Sequence, residues 1–262
     1  MAHDTLTLTL IGGPTTLLEI AGLRLLTDPT FSPPGAYPTG AVTLTKLAGP
    51  AIALEELGTI DAVLLSHDQH ADNLDPDGLA FLASARRVLT TVAGAGRLAG
   101  SFGGIEGLAP WESHHLISTS GHTIHVTATP ARHGPEGIEP VTGEVIGFAL
   151  TFDDQTDRAI YVTGDTVWYE GVAEVAKRFD VSVVLAFTGA ARTRGPFNLT
   201  MSADDAIETA RAFPHATIAP VHHQGWAHFT QNQDDIIQAF AAAGLSERLH
   251  PLELGKPAAL RR

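Results

Sequence analysis

The chain contains no cysteine. Disulfides, thiolate nucleophiles and Cys-ligated zinc are therefore excluded, and any metal must be held by nitrogen and oxygen donors. No apolar run approaches the ~18–20 residues of a membrane span. Residues 1–10 show neither the basic n-region nor the apolar h-region of a secretory signal. The expectation is a cytoplasmic protein without a membrane partner. Basic residues are also scarce: 16 Lys and Arg face 29 Asp and Glu, for a formal net charge of −13. The basic residues form no run longer than a pair such as Arg86-Arg87. An acidic surface repels phosphate backbones, so nucleic acid is not expected as a partner. Nothing in the sequence bears on oligomeric state.

What is present is a chain of 262 residues, 44% hydrophobic, with 13 histidines. That length supports a substantial core, and no linker or repeat divides it, so one α/β domain over residues 1–262 is expected. Residues 5–11 alternate Thr with Leu, a half-buried strand pattern, and Gly12-Gly13-Pro14 marks a turn. Short strands follow at 15–20 and 23–27. Residues 31–49, rich in Pro and Gly, read as an irregular excursion forming the wall of a pocket.

From there strands and helices alternate. Strands are expected at 62–65, 88–91, 122–129, 145–152, 159–163, 181–187 and 216–219. Helices are expected at 76–85, 93–98 and 172–179. Two late helices carry start signals, Ser202 with Asp205 and Asn232 with Asp235, and Gly244 sits where a C-cap belongs. The pattern of antiparallel-looking strands followed by strand–helix alternation occurs once in each half.

Four segments put polar residues directly after apolar strands. They are Ser66-His67-Asp68-Gln69-His70-Ala71-Asp72-Asn73-Leu74-Asp75, Arg132-His133-Gly134, Thr163-Gly164-Asp165-Thr166 and Pro220-Val221-His222-His223. A divalent ion needs three or more converging imidazoles or carboxylates, and a catalytic one keeps a position open for water. One such segment is explained by an ordinary surface or core histidine; four in one chain point to a metal centre. His114, His115, His122, His125 and His215 lack such segments and read as ordinary. The glycines of 94–100 match a dinucleotide fingerprint in spacing only, with the wrong final interval and no acidic partner.

The order of these segments resembles the metallo-β-lactamase superfamily over nearly the whole chain. Residues Ile11-Gly12-Gly13-Pro14-Thr15-Thr16 and Leu26-Thr27-Asp28-Pro29-Thr30-Phe31 further resemble its ascorbate-6-phosphate lactonase-like branch. The resemblance implies an αββα sandwich of two similar halves and a hydrolase that uses a metal-bound hydroxide on a small-molecule substrate. The leading motif of that superfamily, His-x-His-x-Asp-His, is altered twice here. One extra residue separates the histidines, and Asn73 stands at the final position. An insertion at Gln69 keeps His67 and His70 as ligands and is the preferred alignment; counting back from Asp72 puts Asp68 first instead.

Carried over residue by residue, the resemblance assigns His67, His70 and His133 to one ion. It assigns Asp72 and His222 to a second, with Asp165 bridging. One or two ions, zinc or manganese, are implied, and Asn73 leaves the second site weak, differently populated or empty. Asp72 is the implied catalytic residue, orienting the water and accepting its proton. Asp28 reads either as a carboxylate fixing an imidazole or as the cap of the turn before Pro29. His223 and Asp68 are further candidates near the metals. Trp168, Tyr169, Trp226 and His228 are candidate substrate contacts, with Trp226 equally readable as a core plug. The expected substrate bond is a lactone or related ester or amide; the alternatives are a phosphodiester and a metal-binding scaffold without turnover.

Overall fold

The computed structural model describes residues 5–119, 121–153 and 158–261. Its first sheet begins as a meander of β1 (Thr5–Gly12), β2 (Thr15–Ile20) and β3 (Leu23–Thr27). It continues in parallel through β6 (Ala62–Leu64), β7 (Val88–Thr91) and β8 (Ile105–Leu108). β15 (Pro257–Arg261) lies antiparallel along the free edge of β1. The second sheet repeats this plan. β9 (Ser113–Ile117), β10 (Thr123–Pro130), β11 (Ile146–Phe152) and β12 (Ala159–Val162) run antiparallel to one another. They are followed in parallel by β13 (Val181–Phe187) and β14 (Thr217–Val221).

Alternation along the strands explains the layering. Leu6, Leu8, Leu18 and Leu25 of one sheet pack with Val126, Phe148, Ile160 and Leu185 of the other in a single buried cluster. On β12 and β13, which pair in parallel, the neighbours Ala159, Tyr161, Val184 and Ala186 face outward and are buried as well, as expected of strands covered on both faces. On the antiparallel strands, by contrast, Thr7, Glu19, Arg24, His125 and Thr127 are part-exposed. Tyr161 and Val184 pack under α4 (Glu170–Arg178), α5 (Ala203–Ala212) and α6 (Gln233–Ala242) through Val172, Val175, Ile207 and Phe240. Leu26 and Val63 pack with Leu82 and Leu98 beside α1 (Pro76–Phe81) and α2 (Val92–Leu98). The result is the expected αββα sandwich.

The starts of α5 and α6 carry the capping boxes expected at Ser202–Asp205 and Asn232–Asp235. Gly244, with φ 70°, follows the C-cap of α6. Other expectations need correcting. Residues 31–49 are not wholly irregular: β4 (Gly35–Thr39) and β5 (Val42–Lys46) form a hairpin. β8, β9, β15 and the one-turn α3 (Glu139–Thr142) were absent from the sequence expectation. Each is short, and β15 finds its partner only across almost the full length of the chain. Among the described residues, no helix is long and apolar enough to cross a membrane.

Candidate metal centre

Every segment singled out above follows the C-terminal end of a strand: β6, β10, β12 and β14. In α/β sheets these ends deliver side chains to a common rim. Two residues there, Asp28 after β3 and His222 after β14, adopt left-handed φ of 25° and 58°. Non-glycine residues enter this region only under constraint, and such strain gathers at functional sites.

Three imidazoles meet first. His67 Nε2 lies 2.8 Å and His133 Nε2 3.2 Å from His70 Nδ1. The two outer rings are fixed from behind. His133 Nδ1 donates to the Leu199 carbonyl at 2.8 Å, leaving Nε2 with its lone pair toward the cluster. The Ser66 hydroxyl donates to Asp28 at 2.6 Å, so its oxygen is free to accept from His67 Nδ1 at 2.9 Å. Asp28 thus reaches the imidazole through Ser66, and it also accepts from the Ser66 backbone N–H. Burial pushes the Asp28 carboxyl up to about 7 against the pull of those donors. Burial, reinforced by the neighbouring imidazoles, holds His67 well below the usual histidine value and His70 at about 4. Both are neutral at physiological pH, the form that binds metal.

A second group is built from Asp72, Asp165 and His222. His222 Nδ1 lies 3.1 Å from Asp165 Oδ1, and His222 Nε2 lies 3.4 Å from Asp72 Oδ2. Burial opposes charge on this ring, but Asp165 and Asp72 outweigh it and hold His222 up at about 10. In turn the imidazoles keep both carboxyls below the usual range despite their burial. The other oxygen of Asp165, Oδ2, faces the first group, 3.7 Å from His133 Nε2 and 4.0 Å from His67 Nε2. One carboxylate therefore looks into both groups.

These donors fit a metal better than they fit one another. Within each group the ligating atoms all lie within 4.8 Å of one another. Yet both oxygens of Asp165, both nitrogens of His222 and Asp72 Oδ1 are buried without a hydrogen-bond partner. Buried polar atoms left unpaired are costly and rare, so a converging set of five fits a cation, which would satisfy them together.

The remaining candidates separate. Asp68 does not join the imidazoles; Arg97 binds it through Nε at 2.8 Å and Nη2 at 2.6 Å. Gln69, the extra residue of the motif, packs against Gly143, where a Cβ would collide with its amide. The insertion therefore leaves His67 and His70 within reach of each other. Asn73 donates to Asp28 at 3.0 Å instead of facing the second group with a donor nitrogen. His223 is buried beside Thr188 at 3.5 Å, and burial lowers it to about 4.

His228 lines the pocket in front of the metal groups, together with His70, Asp72 and His133. Its Nε2 lies 2.9 Å from Asp72 Oδ2. Trp226 is buried in a small cluster with Leu44 and Ala71 under the hairpin, the core-plug arrangement. Trp168 and Tyr169 pack on the outer helical layer, with Arg132 over the Tyr169 ring, and are not among the residues lining this pocket. Sequence reasoning missed Arg194 and the hairpin residues Thr39, Val42 and Leu44, which complete the pocket wall. Arg194 lies on the segment after β13, a strand end of the same kind as the other four. It was passed over because no ligand type occurs there.

A family model described as Beta-lactamase superfamily domain matches residues 23–223. The chain belongs to this superfamily. Its relatives include the UPF0173 protein YddR of Bacillus subtilis, 25% identical over 255 residues, covering 92% of this chain and 95% of that protein. A UPF0173 metal-dependent hydrolase of Pelotomaculum thermopropionicum is 28% identical over 195 residues, 71% of this chain and 77% of the relative. Among solved structures, an isothiocyanate hydrolase from Delia radicum gut bacteria superposes with a TM-score of 0.82 at 23% identity. It covers 98% of this chain and 100% of its own. A possible metal-dependent hydrolase from Veillonella parvula gives 0.81 at 21%, over 96% and 98%. These structural likenesses establish the superfamily's metallo-β-lactamase fold.

Proposed function

We propose that the protein is a metal-dependent hydrolase of a small molecule, cleaving a lactone or related ester or amide. The observation that carries hydrolysis is that His67, His70 and His133 form one group and Asp72, Asp165 and His222 a second, joined through Asp165, behind a pocket lined by His70, Asp72 and His133. An ion bound there would acidify a water and polarise the oxygen of the scissile group. Asp72 is the residue best suited to steer that water: Oδ2 is engaged by His228 while Oδ1 is buried without a partner. It orients the nucleophile and accepts its proton. The three-imidazole group suits zinc, and the more carboxylate-rich second group accommodates manganese as well.

The choice of a lactone rests on the likeness of residues 11–16 and 26–31 to the ascorbate-6-phosphate lactonase-like branch, which is analogy and not site chemistry. The pocket wall adds a constraint on charge. Val42, Leu44 and Leu199 are apolar, and Arg194 brings a cation to the same wall. A substrate with an apolar body and a carboxylate or phosphate fits that wall. A phosphodiester is the second reading, supported by two donor groups sharing Asp165, an arrangement suited to in-line attack on phosphorus.

The test is metal analysis of purified protein followed by a hydrolysis panel of lactones, amides, phosphodiesters and isothiocyanates, the last because a structural relative is an isothiocyanate hydrolase. Turnover that chelation abolishes and zinc or manganese restores is the expected result. Full turnover by rigorously metal-free protein would overturn it. Tight metal binding with no turnover across the panel would favour a scaffold.

A further inference from the structure

Position 73 is where the superfamily motif calls for a histidine, and the amide nitrogen of the asparagine found there is turned to other work, while its Oδ1 is buried without a hydrogen-bond partner. Its amide nitrogen donates to Asp28 Oδ2 at 3.0 Å, and the residue is fully buried. That bond belongs to the Asp28–Ser66–His67 chain that orients the first group. The second group is thereby left with one imidazole, His222, and two carboxylates.

Another imidazole stands at the same carboxylate from a different part of the chain. His228 Nε2 lies 2.9 Å from Asp72 Oδ2, the oxygen that is 3.4 Å from His222 Nε2. Bonds of ~2.0–2.1 Å to a shared tetrahedral zinc separate neighbouring donors by roughly 3.4 Å, the spacing of His222 Nε2 from Asp72 Oδ2, and His228 Nε2 stands within hydrogen-bond reach of that same oxygen. The backbone carrying His228 is held on both sides. Ala227 N–H donates to Thr45 of the hairpin at 2.9 Å, and the His228 carbonyl accepts from Arg192 N–H at 3.1 Å. The other ring nitrogen, Nδ1, is buried without a partner.

We infer that His228 supplies the ligand that position 73 lacks, so that the second ion is held by Asp72, Asp165, His222 and His228. The inference rests on the metal reading above. His228 is not a member of the group whose atoms all lie within 4.8 Å. Coordination therefore exchanges its hydrogen bond with Asp72 for a bond to the ion, a side-chain movement on a fixed backbone. The donor set becomes two imidazoles and two carboxylates, which favours zinc over harder ions. An amide oxygen from Asn73 would instead give one nitrogen and three oxygens and favour manganese.

The experiment is calorimetric titration of zinc into metal-free wild type, His228→Ala, His228→Gln and Asn73→Ala. Metal analysis after desalting and cobalt absorption spectra of each protein accompany it. Circular dichroism of the metal-free proteins checks folding. The wild type should take two ions. His228→Ala should keep the first and lose affinity for the second by more than 100-fold, while Asn73→Ala keeps both. Glutamine decides between a ligand and a mere hydrogen-bond partner of Asp72, because its amide still donates. If His228 is a ligand, His228→Gln should lose second-site zinc and alter the cobalt spectrum of that site.

Wild-type zinc affinity and an unchanged cobalt spectrum in His228→Gln would overturn the inference. So would loss of the second ion from Asn73→Ala but not from His228→Ala. A wild type that takes one ion only would overturn this inference and leave the metal reading standing. A wild type that takes none would overturn both.

Discussion

Removing the cation of Lys46 measures how firmly the pocket wall is tied to the metal loop. Lys46 ends β5, and its Nζ reaches Asp75 Oδ2 at 2.8 Å and the Thr30 carbonyl at 3.1 Å. The two side chains are 4% and 0% exposed. Lys46→Met keeps most of the stem but leaves a buried carboxylate without its counter-charge, a change that typically costs ~3–5 kcal/mol. Asp75 still accepts from the backbone N–H groups of Phe31, Ser32 and Gly78, at 3.0, 2.8 and 2.9 Å. Those donors go on stabilising the anion, so the lower end, about 3 kcal/mol, is expected. With an unfolding entropy of ~2.1 cal/mol/K per residue, the 262-residue chain should melt roughly 5 °C lower. Calorimetric melting of Lys46→Met, Asp75→Asn and the double variant isolates the pair, for which a coupling of about 2 kcal/mol is expected. A loss below ~1 kcal/mol, or strictly additive single effects, would refute the claim that this ion pair clamps the hairpin.

Other outcomes follow from the site. His70→Ala should lose the first ion together with activity, whereas Trp226→Ala should retain metal and unfold ~3–5 kcal/mol more easily, because it empties a buried aromatic position. Metal analysis with urea unfolding checks both. Arg194→Ala should raise KM at least tenfold for a carboxylate- or phosphate-bearing substrate and leave KM for its neutral analogue unchanged; equal effects on both would remove Arg194 from recognition. Protons should also distinguish the two groups. At pH 7.5 His222, held up at about 10, is protonated in the metal-free protein, while His70, at about 4, is not. Filling the second group must therefore expel a proton, and its apparent affinity should fall about tenfold per unit as pH drops below 10. Titrations in buffers of different ionisation enthalpy read this release directly, and identical release from the two groups would contradict it.

Much of this architecture was legible in the sequence because local rules agree with the fold. The Thr–Leu alternation of β1 marks a strand with one face in the core, and Ser202 and Asn232 mark helix starts by their capping chemistry. The loop from Ser66 to Asp75 was recognisable by residue type despite its insertion. What escaped depends on contacts distant in sequence. β15 is a strand chiefly because β1 offers an edge, and nothing within Pro257–Arg261 announces that partner. The hairpin was hidden by Pro and Gly, although Val42-Thr43-Leu44-Thr45 carries the period of a strand. Trp168 and Tyr169 adjoin Asp165 closely in sequence, yet their side chains pack on the outer helical layer. Proximity along the chain does not bring them into the lining of the pocket beside His70 and His133, and Arg194 was missed for want of a ligand signature.

The shared carboxylate of Asp165 has a thermodynamic consequence. An ion held by one of its oxygens would draw charge away from the other and fix the torsion that both groups depend on. Occupancy of either group would therefore change the affinity of the other, and by linkage the factor would be the same in both directions. The repulsion between two cations separated by a single carboxylate opposes double loading, while the ordering of Asp165 by the first arrival favours it. If both groups take an ion as proposed, loading would be a cooperative equilibrium whose sign is set at one residue, and a substitution in either group would change the apparent constant of its neighbour.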